Sequence, residues 1–284
     1  MTGNQQIERV LDVDEAVALH WILRVAVAAC FVGHGAFGLI GKKAWVPYFA
    51  VWGFPEPWAY FLMPVVGAMD VSIGVLTLFR PLPAVLLWMV FWGFQTACLR
   101  PLSGEPIWEL LERAGNFWVP LALLWSGGWP GSLRAWFSPV RPSGLGPSQA
   151  RQMAWILRVT TAAVLLGHGG FGAFMHKHEW ATYLATIRVG SDAVSRLQDA
   201  VGWFEIVLGL AILAWPWPGL LLLAFVWKVG TESLRIPAGE PLWEFIERAG
   251  SYAAPLALLL LQDRPETVPG CARAECRIGR SRLL

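Results

Sequence analysis

Long apolar runs constrain this chain more than any other feature. From residue 21 to residue 40 the only formally charged side chain is Arg24. Crossing the hydrocarbon core of a bilayer takes about 20 mostly apolar helical residues, because each backbone N–H and C=O must be satisfied within the segment. Residues 60–79, 82–99, 106–125, 154–175, 200–215, 219–234 and 241–261 come close to the same requirement. Hydrophobic residues make up 56% of the 284 and charged ones only 15%, where a soluble domain carries roughly 25%. Eighteen tryptophans suit a chain with two membrane–water interfaces, where an apolar ring with a wet N–H is favoured. The expected fold is therefore all-α: a polytopic membrane protein with eight transmembrane helices.

Those helices come as two related sets. Trp21-Ile22-Leu23-Arg24-Val25 recurs as Trp155-Ile156-Leu157-Arg158-Val159, and Gly33-His34-Gly35 recurs as Gly167-His168-Gly169. One inserted residue later, Trp45 and Tyr48 match Trp180 and Tyr183, and Asp70 and Gly74 match Glu205 and Gly209. The segment 104–115 then recurs almost unchanged as 239–250. A period kept over a whole half marks a duplicated structural unit. The expected organisation is an N-terminal segment (1–20), a first four-helix repeat (21–126), a Gly/Pro/Ser-rich linker (127–153), a second four-helix repeat (154–261) and a basic C-terminal tail (262–284). Four crossings per half insert both halves in the same orientation, a parallel repeat. Lys and Arg are in excess on the side holding both termini, which predicts cytoplasmic termini in an inner membrane.

Local signals refine the spans. Pro81-Leu82-Pro83 and Pro216-Trp217-Pro218 predict tight turns between the second and third helices of each half. Pro120 and Pro255 predict kinks in the fourth helices. Trp45, Trp52 and Trp58 place the connection after the first helix in the interface. Glu8, Asp12, Asp14 and Glu15 precede the first apolar run, so a cleavable leader is not expected and the first membrane helix directs insertion.

Polar residues inside apolar spans are the candidates for function, because a mid-membrane carboxylate costs roughly 2.5–3.5 kcal/mol to insert and needs a partner or a proton. Asp70 and Glu205 sit at matching places near the centres of their spans, with His34, His168, Arg113 and Arg248 as possible partners. They either tie helices together or form a proton-handling or ligand-binding site present twice. Glycines around His34 and His168 allow close approach of a neighbouring backbone or a flat ligand. A hydrogen-bonded interhelical histidine, a quinone head group, and a haem held between the two histidines all fit that pattern. Lys228 and Glu232 lie one turn apart where the first half has Gly93 and Ala97. Glu109, Glu112 and Arg113 share a helix face, as do Glu244, Glu247 and Arg248, in the order that favours ion pairing. These glutamates are expected to be structural, with the polar entrance of a cavity as the alternative.

Other chemistries find little support. A net charge of +2 without a basic face argues against a nucleic-acid partner. Cys30 and Cys98 lie in apolar runs and read as packing residues, while Cys271 and Cys276 form a loose C-x4-C in the tail without a second pair. No metal site is expected. Phosphate-binding loops, dinucleotide fingerprints and nucleophile elbows are missing from the sequence.

Leu23-Arg24 leading to Gly33-His34-Gly35, Gly53-Phe54-Pro55 before the second helix, and Asp70-x3-Gly74 or Glu205-x3-Gly209 within it resemble the DoxX/DoxD-like family of four-helix membrane proteins. Each half looks like one family unit, with Asp70 replacing the expected glutamate. The resemblance implies a membrane subunit of a quinone-linked redox system, lined by His34, Asp70, His168 and Glu205, with the lipid bilayer and other redox subunits as partners. A small-molecule or proton-coupled transporter, and a non-catalytic assembly subunit, remain the alternatives.

Overall fold

The computed structural model describes residues 13–262, and every regular element among them is helical. In the first half these are α1 (Val13–Leu39), α2 (Val46–Val51), α3 (Glu56–Phe79), α4 (Pro83–Leu102), α5 (Trp108–Glu112) and α6 (Ala114–Ser126). A short α7 (Leu133–Trp136) follows. The second half runs through α8 (Pro147–Gly170), α9 (His178–Thr186), α10 (Ser191–Ala214), α11 (Pro218–Ser233), α12 (Leu242–Glu247) and α13 (Ala249–Leu260). The end of α8 widens into a π-helical turn, Phe171–Met175.

Five helical stretches are long and apolar enough to cross a membrane: Asp14–Leu39, Glu56–Phe79, Pro83–Leu102, Pro147–Met175 and Ala193–Ala214. The other three apolar runs are shorter or divided. α11 has 16 residues, and the last run of each half is split at an arginine, Arg113 or Arg248. Pro120 and Pro255, where kinks are expected, lie inside α6 and α13, after the break. The interruption comes earlier because the arginine side chain replaces a backbone bond. Arg113 Nη1 donates to the Glu109 carbonyl (3.0 Å) and Arg248 Nη1 to the Glu244 carbonyl (3.3 Å). The backbone N–H of each arginine turns instead to the residue three back, Leu110 or Phe245. A carbonyl satisfied by guanidinium no longer holds the α-helical ladder together.

α1 and α8 lie at the centre, and α1 packs on α12 and α13 while α8 packs on α5 and α6. The first helix of each half thus lies against the last helices of the other. α6 and α13 meet where Gly115 faces Gly250: a Cβ on Gly115 would lie 2.9 Å from the Gly250 carbonyl carbon. One apolar core joins both halves, from Leu23, Leu86 and Leu123 to Leu157, Leu221 and Leu258. The outward faces of α3, α4, α10 and α11 are apolar as well, with Phe61, Phe91, Val207 and Val226 all exposed. Large apolar side chains on both the inside and the outside of a helix bundle are what lipid as solvent requires.

Several connections differ from the expectation. Trp45 is buried and stacked on His34, with ring centroids 4.5 Å apart. An imidazole with its own polar partner leaves an apolar face, and the indole covers it. Trp58 is exposed. α1 starts at Val13 and α8 at Pro147, inside stretches read as N-terminal segment and linker; a proline at the first helical turn of α8 suits a start there. The linker returns across the first half through the Val140 N–H, which donates to the Pro81 carbonyl (2.9 Å). Cys271, Cys276 and the basic tail lie outside the described residues.

Candidate functional site

The arginines at the two helix breaks organise a buried ionic network. Arg113 pairs with Glu109 and lies 3.7 Å from Glu112. Arg248 meets Glu244 at 2.8 Å, Glu112 and Glu232 at 3.2 Å each, and Glu247 at 3.9 Å. Because Glu112 and Arg248 belong to different halves, this is a clamp across the molecule. Two further pairs cross in the same way: Lys177 to Glu109 (2.8 Å) and Lys42 to Glu244 (3.5 Å). Buried charges so placed require one another, since losing one partner strands the rest in a low dielectric.

This network forms the floor of a polar vestibule of about 550 Å³ between the halves. Its walls carry Tyr48, Arg100 and Glu105, with Tyr183, Arg235 and Glu240 opposite. Each tyrosine hydroxyl donates to its glutamate, and each arginine reaches the same glutamate at 3.2 Å. Burial pushes both phenols well above their ordinary value and the bonds to Glu105 and Glu240 push the same way, so both remain protonated donors. None of these six residues is among the site candidates drawn from the sequence. A signal was there: each polar side chain recurs at the repeat offset (48 and 183, 100 and 235, 105 and 240), as do Lys42 and Lys177.

A second cavity, about 380 Å³, lies within the second half. Its sides are apolar, including Leu184, Ile187, Val201, Leu223 and Val226, and His168, Glu205 and Glu232 border its polar end. Lys228, 1% exposed, stands between the carboxylates, 3.0 Å from Glu232 and 3.6 Å from Glu205. His168 Nε2 is 3.2 Å from Glu232 Oε1. Trp227 Nε1 donates to Glu205 Oε1 (2.9 Å). These ion-pair distances are short, yet Glu205 Oε2, Glu232 Oε1, Lys228 Nζ and His168 Nε2 have no aligned hydrogen bond among the described residues. Unmatched buried polar atoms at the end of an apolar cavity mark a place for a ligand's polar group.

The first half closes the equivalent space. Trp52 and Trp92 approach to 6.0 Å between ring centroids, and only about 40 Å³ remains beside them. Ile187 and Leu184 occupy the places corresponding to Trp52 and Phe49. Asp70 is fully buried and bonded to His34 Nδ1 (2.8 Å). Of the four possible partners, the structure thus gives Asp70 only His34. It does not repeat that pair in the second half: Glu205 goes to Lys228, and His168 goes to Glu232. Each imidazole is taken up by a carboxylate of its own half, and no cluster of three or more metal-ligating side chains occurs among the described residues.

What the fold and cavities of the described residues define is an all-helical protein, apolar enough to lie in a membrane, with a polar and an apolar chamber that share His168, Trp180, Tyr183 and Arg235. No protein-family model, curated protein or solved structure matches the chain.

Proposed function

We propose that this is an inner-membrane protein of two parallel DoxX/DoxD-like units and eight crossings, with cytoplasmic termini, whose second unit binds a lipophilic molecule of the quinone type for a membrane redox system. The eight-crossing reading counts α5 with α6, and α12 with α13, as broken fourth crossings. It also counts α11, whose 16 residues span roughly 24 Å at 1.5 Å per residue. Contacts that recur at the repeat offset support two like units: Arg24 Nε donates to the Thr77 carbonyl (3.2 Å) and Arg158 Nε to the Ile212 carbonyl (3.1 Å).

The observation that carries the ligand proposal is the apolar cavity ending at unmatched polar atoms. Its mouth includes Leu223 and Val226, both exposed on the outer face, so a lipophilic molecule enters from the hydrocarbon. A quinone ring fits between apolar walls, and its two redox forms need both acceptors and donors at the head. Glu205 offers the first, and His168 in its protonated form the second. When bound, the quinone supplies reversible uptake of electrons and protons; the chain supplies position and hydrogen bonds. A short-chain ubiquinone titrated into purified protein should quench tryptophan fluorescence saturably. Ile187→Trp, which places an indole in the cavity, should abolish saturation while leaving the melting temperature within a few degrees. Unchanged quenching in that variant would reject the site.

A proton-coupled carrier is the second reading, favoured by the wall of His168, Trp180, Tyr183 and Arg235 that the two chambers share. It requires Glu205→Gln and Asp70→Asn to abolish substrate-driven pH changes in proteoliposomes.

A further inference from the structure

The two chambers are joined by a line of ionisable side chains that neither the ligand site nor the ion-pair clamp needs in that order. From the vestibule, Glu112 Oε1 lies 3.9 Å from His168 Nε2, and that nitrogen lies 3.2 Å from Glu232 Oε1. Glu232 Oε1 is 3.0 Å from Lys228 Nζ, which is 3.6 Å from Glu205 Oε1. Glu205 Oε2 then ends in the apolar cavity without a hydrogen-bond partner among the described residues. The first half lacks the two middle members, having Gly93 and Ala97 in place of Lys228 and Glu232.

We infer that Glu112, His168, Glu232, Lys228 and Glu205 form a proton path linking the aqueous vestibule to the head-group end of the apolar cavity. A proton from vestibule water adds to the Glu112 carboxylate and passes to the lone pair on His168 Nε2. The imidazolium releases it to Glu232 Oε1. Lys228, an ammonium, gives one of its protons to Glu205 and takes the one held by Glu232. After one passage Glu112, His168, Glu232 and Lys228 regain their starting charges, and Glu205 has become a neutral acid facing the cavity. Every hand-over is between groups within 4 Å, and none needs a redox partner. The groups that face His168, and so set how readily it accepts, are Glu112 from α5, Glu232 and Lys228 from α11, and Arg248 from the α12–α13 break.

This inference rests on the cavity being a ligand site, but its test uses no ligand. Purified full-length protein in lipid vesicles is subjected to an acid jump and followed by time-resolved infrared spectroscopy. The carboxylic-acid band that Glu205→Gln removes identifies Glu205. In His168→Ala the appearance of that band should slow by roughly a hundredfold, the usual contribution of a positioned proton carrier. Millimolar imidazole, entering the space left by the ring, should restore most of the rate, which a merely structural histidine would not allow. An unchanged rate in His168→Ala, slowing without rescue by imidazole, or absence of any Glu205 band in the parent protein would each overturn the path. Loss of ubiquinone quenching in Ile187→Trp bears on the cavity alone, so the two readings fail separately.

Discussion

A single side chain, Lys228, joins the two buried carboxylates Glu205 and Glu232 of the second half. It is 1% exposed and lies within 4 Å of two carboxylates that are themselves buried. The ammonium is the one cation paired with Glu205, whereas Glu232 also has Arg235 (2.8 Å) and Arg248 (3.2 Å), so it is Glu205 that depends on Lys228. Lys228→Met should therefore destabilise the protein by about 3–5 kcal/mol, the cost of breaking a buried pair from one side. Removing as well the acid that has no other cation, in Lys228→Met with Glu205→Gln, should recover much of that loss, since Glu232 keeps Arg235 (2.8 Å) and Arg248 (3.2 Å) and no lone carboxylate is then stranded. Thermal unfolding in detergent would measure both. If the single variant melts with the parent, the lysine is not holding the carboxylates.

At the scale of elements, the structure depends on how closely helices from different halves approach. α6 and α13 touch backbone to backbone at Gly115 and Gly250, where a Cβ would come within about 3 Å of carbonyl atoms. Gly115→Val or Gly250→Val forces those helices apart, and displaces the adjoining Arg113 and Arg248 from the clamp. Overpacking of this kind typically costs 1–3 kcal/mol, and here the vestibule floor should be lost with it. The expected outcome is a lower melting temperature and faster proteolysis at 127–146, measured against Gly230→Ala, whose added Cβ would meet nothing within 4 Å. The helix breaks belong to this scale too. Pro120 and Pro255 mark a possible break, but whether a guanidinium takes the carbonyl of the residue four before it depends on what surrounds the arginine. For Arg113 the surroundings are Glu109 and Glu112 of α5, and for Arg248 they include Glu112 of the other half and Glu232 of α11.

For the whole molecule, the proposed topology makes a direct prediction. Lys43→Cys and Arg188→Cys, at the vestibule end, should react with a membrane-impermeant thiol reagent from the periplasmic side of intact cells. Arg134→Cys and Arg151→Cys should react only after the membrane is opened. Opposite labelling of Lys43→Cys and Arg188→Cys would show that the two halves insert in opposite senses, and the parallel arrangement would be abandoned. The vestibule depends on that arrangement, because its paired walls of Tyr48, Arg100 and Glu105 against Tyr183, Arg235 and Glu240 come from the same place in each half.

The sequence by itself determined that the chain is helical and suited to lipid, because segment length and apolar content are local properties that a bilayer reads directly. It also determined where rare charges fall inside apolar runs, and so which residues, such as Asp70, Glu205 and Lys228, had to find partners. Tertiary structure alone decided the pairings. Asp70 took His34, while Glu205 took Lys228 and left His168 to Glu232, because Gly93 and Ala97 in one half are Lys228 and Glu232 in the other. Only packing could show that Trp52, close to Trp92, fills one cavity while Ile187 in the corresponding place leaves its counterpart open. A void is the space left between several elements, and no stretch of sequence carries it alone.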